Sequence, residues 1–412
     1  MSRVFFSKIL QVRLALLVCI FIGLPPLQAV MAADTYNDEK DLIEVSGFAR
    51  LVGGYLDDPD LEFQQYSNTL SFGEQSLFAL RADINLTNDV KIVSQGVLHS
   101  SDNRESEIQW LYLQYQVNRA LSVRLGKQRM PFFDFSETND VGFAYPWITP
   151  PLQVYSEFLF FDIDGALASY EFSSKNISGA FEAYWGEYEG NLSTAETTSY
   201  TKLENNSGLI LKLNYDNFNL RASHHFTNID ISLTPIIEFR KVLTDAGFVE
   251  SANALSLAGK LQFSQISLSY DSFTYFFKSE LTRYNSEFLV FPDAKSGYVL
   301  AGYNFFPFSA HITYAKSEVS YDRPENIIPK GLDPQIDALS FSYDQVLANL
   351  NVDSMESFTV GIRYDWNDNI AFKAEFSKLN GNDNSRGLFT KNSAKNPQNE
   401  AKLIQVAIEW VF

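Results

Sequence analysis

The feature that most constrains this chain is the stretch Ala401 to Phe412, which alternates with a period of two. Ile404, Val406, Ile408, Trp410 and Phe412 fall on one face; Leu403, Gln405, Ala407, Glu409 and Val411 fall on the other. Successive side chains of a strand point to opposite sides, so the pattern specifies a strand with one apolar and one mixed face. A strand of about ten residues that is apolar on one side and aromatic at its end can cross a bilayer at a tilt. A half-buried strand of a soluble β-domain would alternate as well, so the segments upstream must decide.

Those segments repeat the pattern with a regular change of connection length. Strands are expected near 43–56, 75–87, 90–99, 107–117, 121–129, 160–172, 177–188 and 207–216. They continue near 218–227, 257–270, 273–285, 297–306, 309–319, 357–366, 369–379 and 401–412. Tight turns at Thr87-Asn88-Asp89, Asn118-Arg119, Ser173 to Asn176, Asp216-Asn217, Asp271-Ser272, Pro307 and Asn367-Asp368 alternate with longer, polar connections. An even strand count with short turns at one end and long loops at the other specifies an all-β, closed antiparallel transmembrane barrel of about sixteen strands. Both termini then lie on the short-turn, periplasmic side. In the strand near 75–87, Leu80, Ala82, Ile84 and Leu86 should face lipid, and Arg81, Asp83 and Asn85 the lumen.

Arg3, Lys8 and Arg13 precede the apolar run Leu14 to Leu24, which Pro25-Pro26 breaks before the small residues Ala29 to Ala33. This order reads as a secretory signal peptide over 1–33, cut after Ala32 or Ala33, with 34–412 as the barrel. The only cysteine, Cys19, leaves with it and lacks the small-residue context of a lipidation site. No long apolar run follows, so no transmembrane helix is expected. The formal charge is −18, and losing three cations makes the mature form about −21. Such a balance excludes nucleic-acid binding, which needs a basic footprint.

The most distinctive local sequence is Gly126-Lys127-Gln128-Arg129-Met130-Pro131-Phe132, running into Ala144-Tyr145-Pro146-Trp147-Ile148-Thr149-Pro150-Pro151-Leu152-Gln153-Val154-Tyr155. It joins the fifth and sixth strands. These two stretches, with a last strand ending on Phe412, resemble the proteobacterial outer-membrane porin superfamily of trimeric, sixteen-stranded porins, and most of all a group related to phosphate-selective porins. The resemblance implies a bacterial outer-membrane location among lipid and lipopolysaccharide, homotrimers, and no cofactor. It also implies insertion by the barrel-assembly machinery, with Ile404, Val406, Ile408, Trp410 and Phe412 as the signal. Residues 131–158 would be the constriction loop. Members of that group more often carry Arg where Thr149 stands and Glu where Gln153 stands, so an oxyanion preference does not carry over.

Pro146, Pro150 and Pro151 leave the insert few conformers and few free amides, as a stiff loop inside a lumen requires. Its acidic residues are Asp134, Glu137, Asp140 and Glu157, and its aromatic anchors are Tyr145, Trp147 and Tyr155. Opposite them the wall should present Arg50, Arg81 and Arg124, giving an acidic loop against a basic wall. The bland alternative is a small surface core with solvated carboxylates. Lys127 and Arg129 share the parity of Val123 and Leu125, so either a bulge after Gly126 swings them inward or they stand at the rim; the bulge is the expectation. Lys212, Arg221, Lys260, Lys278, Glu280, Arg363, Asp365, Lys373, Glu375 and Glu409 are read as paired wall residues of a wet lumen.

Catalysis is the rival class, because some outer-membrane barrels are hydrolases. Of the four histidines, His224 and His225 are adjacent on one strand and point to opposite sides; His99 and His311 stand apart. No His-Glu-x-x-His spacing occurs. The reading is therefore a non-enzymatic porin passing small hydrophilic solutes. A substrate-specific channel for anions or sugars is the alternative, and a non-conducting adhesive barrel is a more distant one.

Overall fold

A computed structural model describes residues 41–101, 104–155, 162–193, 198–288, 291–348, 350, 354–381, 387–391 and 399–412. The signal peptide and Glu157 lie outside the described residues. Sixteen antiparallel strands close into one barrel. They are β1 (Ile43–Leu56), β2 (Leu77–Asn85), β3 (Val90–His99), β4 (Glu107–Gln116), β5 (Leu121–Arg129), β6 (Asp162–Ser174), β7 (Ile177–Ser193) and β8 (Thr198–Tyr215). The second half comprises β9 (Phe218–Ser232), β10 (Ala258–Asp271), β11 (Tyr275–Ser286), β12 (Asp293–Phe305), β13 (Phe308–Ser320), β14 (Met355–Asp365), β15 (Ile370–Gly381) and β16 (Glu400–Val411). Each pairs with its sequence neighbours, and β1 pairs with β16 in the register Phe48↔Val411 and Arg50↔Glu409. Closure removes the free edges that an open sheet would expose.

The period-two pattern decides which way each strand faces. On β16, Ile404, Val406 and Ile408 are exposed on the outer surface, while Leu403, Gln405, Ala407 and Glu409 are buried inside. On β2, Leu80 points out and Ala79 in. At the short-turn end, outward rings meet across neighbouring strands: Phe218 with Tyr270, Tyr275 with Tyr303, and Phe308 with Tyr364, at centroid distances of 4.8, 5.2 and 4.9 Å. An apolar belt bounded by aromatic rings is the surface of a bilayer-spanning barrel. No described helix is long and apolar enough to cross a membrane.

The seam rests on the last residue. The Phe412 ring lies over Gly47, where any Cβ would collide with it, and Phe412 N–H donates to the Gly47 carbonyl at 3.0 Å. Its ring also meets Phe78 and Trp410, at 6.1 and 4.7 Å. Phe412→Ala loses both ring contacts, at about 0.5–1.5 kcal/mol each. The variant should therefore show a lower temperature for loss of the compact, heat-modifiable band on gels; an unchanged temperature would contradict this account of the seam.

Three things differ from the sequence expectation. Strands β8 and β9 extend well above the membrane belt, over 198–215 and 218–232, because their pairing continues past a register shift at Phe226/Asn228. The long loops also carry helices, α1 (Thr234–Asp245), α2 (Val249–Ala254) and α3 (Pro334–Ala348), joined around Leu243, Leu255, Ile328, Tyr343 and Leu347. Finally, Glu62–Phe63 pairs with Phe389–Lys391 in a small ribbon. It packs with Leu56, Leu61, Tyr66, Met355, Leu379 and Leu403.

Candidate functional site

The connection after β5 enters the barrel. Prolines 131, 146, 150 and 151 prevent it from forming regular structure of any length, so its backbone groups need partners from the wall. The wall supplies them from nearly every side. On β9, Arg221 donates to the carbonyls of Pro131 and Phe132, the latter at 3.0 Å. On β11, Glu280 accepts from Asp134 N–H at 3.0 Å and from the Tyr155 hydroxyl at 2.5 Å. Trp147 Nε1 donates to Thr313 on β13 at 2.9 Å. Arg363 on β14 donates to the Phe143 carbonyl at 2.7 Å, and Glu375 on β15 accepts from Ile148 N–H at 2.8 Å.

Two buried charges close the remaining arc. Lys373 Nζ, on β15, donates to the carbonyls of Gly142, Tyr145 and Trp147 at 2.7, 2.7 and 2.6 Å. It also pairs with Glu409 of β16 at 2.8 Å; the two side chains are 0 and 1% exposed. Two residues before Gly142, Asp140 accepts from Arg104 at 2.8 Å, Arg129 at 3.1 Å and Gln109 at 3.2 Å. Asp140 lies in the insert, outside the spanning strands. Burial alone would raise its pKa, but the guanidinium groups of Arg104 and Arg129, with Arg50 behind them, hold it well below 3.8.

Apolar contacts finish the docking. Met130, Phe132, Phe133, Tyr145, Trp147 and Tyr155 form one cluster with wall residues such as Tyr184, Phe263, Phe276 and Tyr298. Trp147 stands edge-on to Tyr298, with ring centroids 5.2 Å apart. The insert is therefore held inside the barrel by strands from many sides of the wall.

Below it, towards the short turns, the wall is wetter. Arg81 binds Asp83 at 2.6 Å, Lys91 reaches the same carboxylate at 2.9 Å, and Arg124 pairs with Glu137 of the insert at 2.7 Å. Arg81 lies over the Trp110 ring and Arg124 over that of Tyr112, at 5.5 and 5.4 Å. The Arg81 and Glu137 side chains are 32 and 46% exposed, so this is where solvent meets the insert from below.

The sequence-predicted residues thus separate into groups. Arg81 and Arg124 face Glu137 in the open lower lumen. Arg50, at the seam, donates to the carbonyls of Gln75 and Ile148, at 2.8 and 3.4 Å. Asp140, Tyr145 and Trp147 are buried docking groups, while Asp134 contributes a backbone N–H to Glu280. Arg129 is buried against Asp140. Lys127 instead stands at the rim, paired with Glu107 at 2.9 Å and near Asp162 at 3.6 Å. The expected bulge after Gly126 is absent: pairing runs through Gly126 in register on both sides, and its φ of 128° only brings its backbone against the Leu111 carbonyl. The bulge is on β4 instead, where Gln109 is the extra residue between Ile108 and Trp110.

Two further readings of the wall are corrected. Arg221, Glu280, Lys373, Glu375 and Glu409 are buried against the insert, not solvated in a wet lumen, because they satisfy its irregular backbone. Lys260 faces outward, since the inward positions of β10 are Leu261, Phe263 and Gln265. The roles of Arg104 and Gln109 went unread.

No protein-family model matches the chain, and no curated protein matches it. Solved structures do match. The outer membrane channel DcaP of Acinetobacter baumannii aligns over 90% of this chain and 97% of its own, with TM-score 0.55 and 10% identity. An anion-selective porin from Comamonas acidovorans aligns over 90 and 99%, with TM-score 0.51 and 12% identity. The outer membrane protein OmpT of Vibrio cholerae, in a trimer form, aligns over 90 and 99%, with TM-score 0.51 and 10% identity. At such identities the likeness is one of fold, and the fold is that of the sixteen-stranded outer-membrane porins.

Proposed function

We propose that the protein is a channel of the bacterial outer membrane through which small hydrophilic solutes diffuse passively. The observation that carries this reading is the insert itself: a proline-stiffened segment bonded to the wall inside a porin-fold barrel. In this reading residues 131–158 set the permeability, with Glu157 part of the loop and Asp140, Tyr145 and Trp147 its docking groups. Glu137 is the carboxylate that meets solutes, facing Arg81 and Arg124. Selectivity then follows from a narrow path and a mixed ring of charge. No catalytic step and no cofactor are assigned.

The assembly follows the same reading. The belt contacts lipid and lipopolysaccharide, the signal peptide 1–33 directs export, and the last strand is read by the barrel-assembly machinery. A homotrimer is supported by the trimer form of the Vibrio cholerae neighbour.

The test is single-channel recording of the refolded protein in a planar bilayer under a salt gradient. Conductance steps grouped in threes, with a reversal potential that moves towards anion preference in Glu137→Gln, are expected. A folded, heat-modifiable barrel that carries no current would sink the channel reading.

A further inference from the structure

We infer that the cavity between the insert and β13–β16 is a binding subsite for a small, uncharged polyol. This deepens the channel reading and rests on it. The cavity holds ≈ 40 Å³, room for about three waters, and is open on one side, so it takes the hydroxyl-bearing end of a small polyol while the rest stays in the lumen.

Its lining explains the choice of ligand. Hydroxyl and carboxamide groups of Thr313, Ser357, Thr359, Ser377, Gln405 and Gln153 surround it. Hydroxyls both donate and accept, so a partner that does the same can satisfy them in any order. Thr359 and Ser377 already bond each other at 2.7 Å, which fixes both side chains and leaves each with spare capacity. Gln153, 2% exposed, is the telling residue: its Nε2 has no hydrogen-bond partner among the described residues. A buried amide donor without a partner is costly, and an incoming hydroxyl oxygen would relieve it.

Charge narrows the class further. Glu375 is the only formally charged residue among the described lining. Its Oε1 is engaged by Ile148 N–H at 2.8 Å and lies 3.4 Å from His311. No cation faces the cavity to offset an anion, so a carboxylate or phosphate would meet an uncompensated like charge. Trp147 and Pro150 supply an apolar side that suits the carbon skeleton of a polyol.

The probes are glycerol and glycerate, which have the same carbon count and differ by one charged carboxylate. Proteoliposomes of the full protein should swell faster in glycerol, and saturation-transfer NMR of the detergent-refolded barrel should show glycerol contact. In Thr359→Val/Ser377→Ala the glycerol-to-glycerate rate ratio should fall about fivefold to tenfold, as the loss of one or two hydrogen bonds implies, and the NMR contact should weaken with it. Thr359→Ser keeps the hydroxyl and should retain the wild-type ratio, which guards against a double variant that fails to fold. An unchanged ratio in the double variant, or a wild-type barrel without glycerol contact, overturns the inference and leaves the cavity to water. A barrel that conducts nothing overturns the channel reading instead, and the NMR contact still decides the subsite.

Discussion

Lys373→Met is expected to destabilise the barrel by about 3–5 kcal/mol and to raise its single-channel conductance. The wild-type ammonium holds three consecutive portions of the insert, through Gly142, Tyr145 and Trp147, and neutralises Glu409. Methionine fills similar volume but donates nothing, so three carbonyls lose a donor and Glu409 is left charged in a dry site. Breaking one half of a buried ion pair is far more damaging than removing both. Lys373→Met/Glu409→Gln should therefore recover a large part of the stability while keeping the raised conductance. Denaturation in detergent and bilayer recording read the two quantities separately. If the single variant conducts and unfolds like wild type, Lys373 is not the group that holds the insert.

The second large effect is expected at Asp140, two residues before Gly142. Asp140→Ala removes the acceptor shared by Arg104, Arg129 and Gln109. Two guanidinium groups and one amide lose a shared buried acceptor, so a loss of about 3 kcal/mol is expected along with greater current noise from a loosened insert. The pH dependence has a definite sign. A carboxyl whose folded pKa is lowered contributes stability in full above its unfolded value and loses it as pH falls through the folded one. Asp140 is lowered from 3.8, so docking should hold from neutral pH down to about 4 and weaken only in stronger acid. Channel current that opens on acidifying from pH 7 to 5 would have to come from another group.

Much of this was legible in the residues. Alternation at Leu80/Arg81 and Ile404/Gln405 told the lipid face from the lumen, and turns such as Asp216-Asn217 placed the strands in order. Loop helices were harder, although Asp333-Pro334 does carry the start signal: Asp333 accepts from Gln335 N–H at 2.7 Å. What alternation cannot provide is height. Whether Lys373 or Lys212 meets the insert depends on the stagger of strands around the barrel, which is a property of the closed ring. Parity also failed at Gln109, where one extra residue shifts the register. For the same reason Lys127 and Arg129, two residues apart, ended in different surroundings, one at the rim and one against Asp140.

The joining of β1 to β16 has a consequence for the insert. Arg50 comes from the first strand and Glu409 from the last, yet both belong to the setting of one segment that lies between them in sequence. That setting does not exist until the two ends of the chain meet. The arc of the setting that Arg50 and Glu409 supply is therefore complete only in the closed ring.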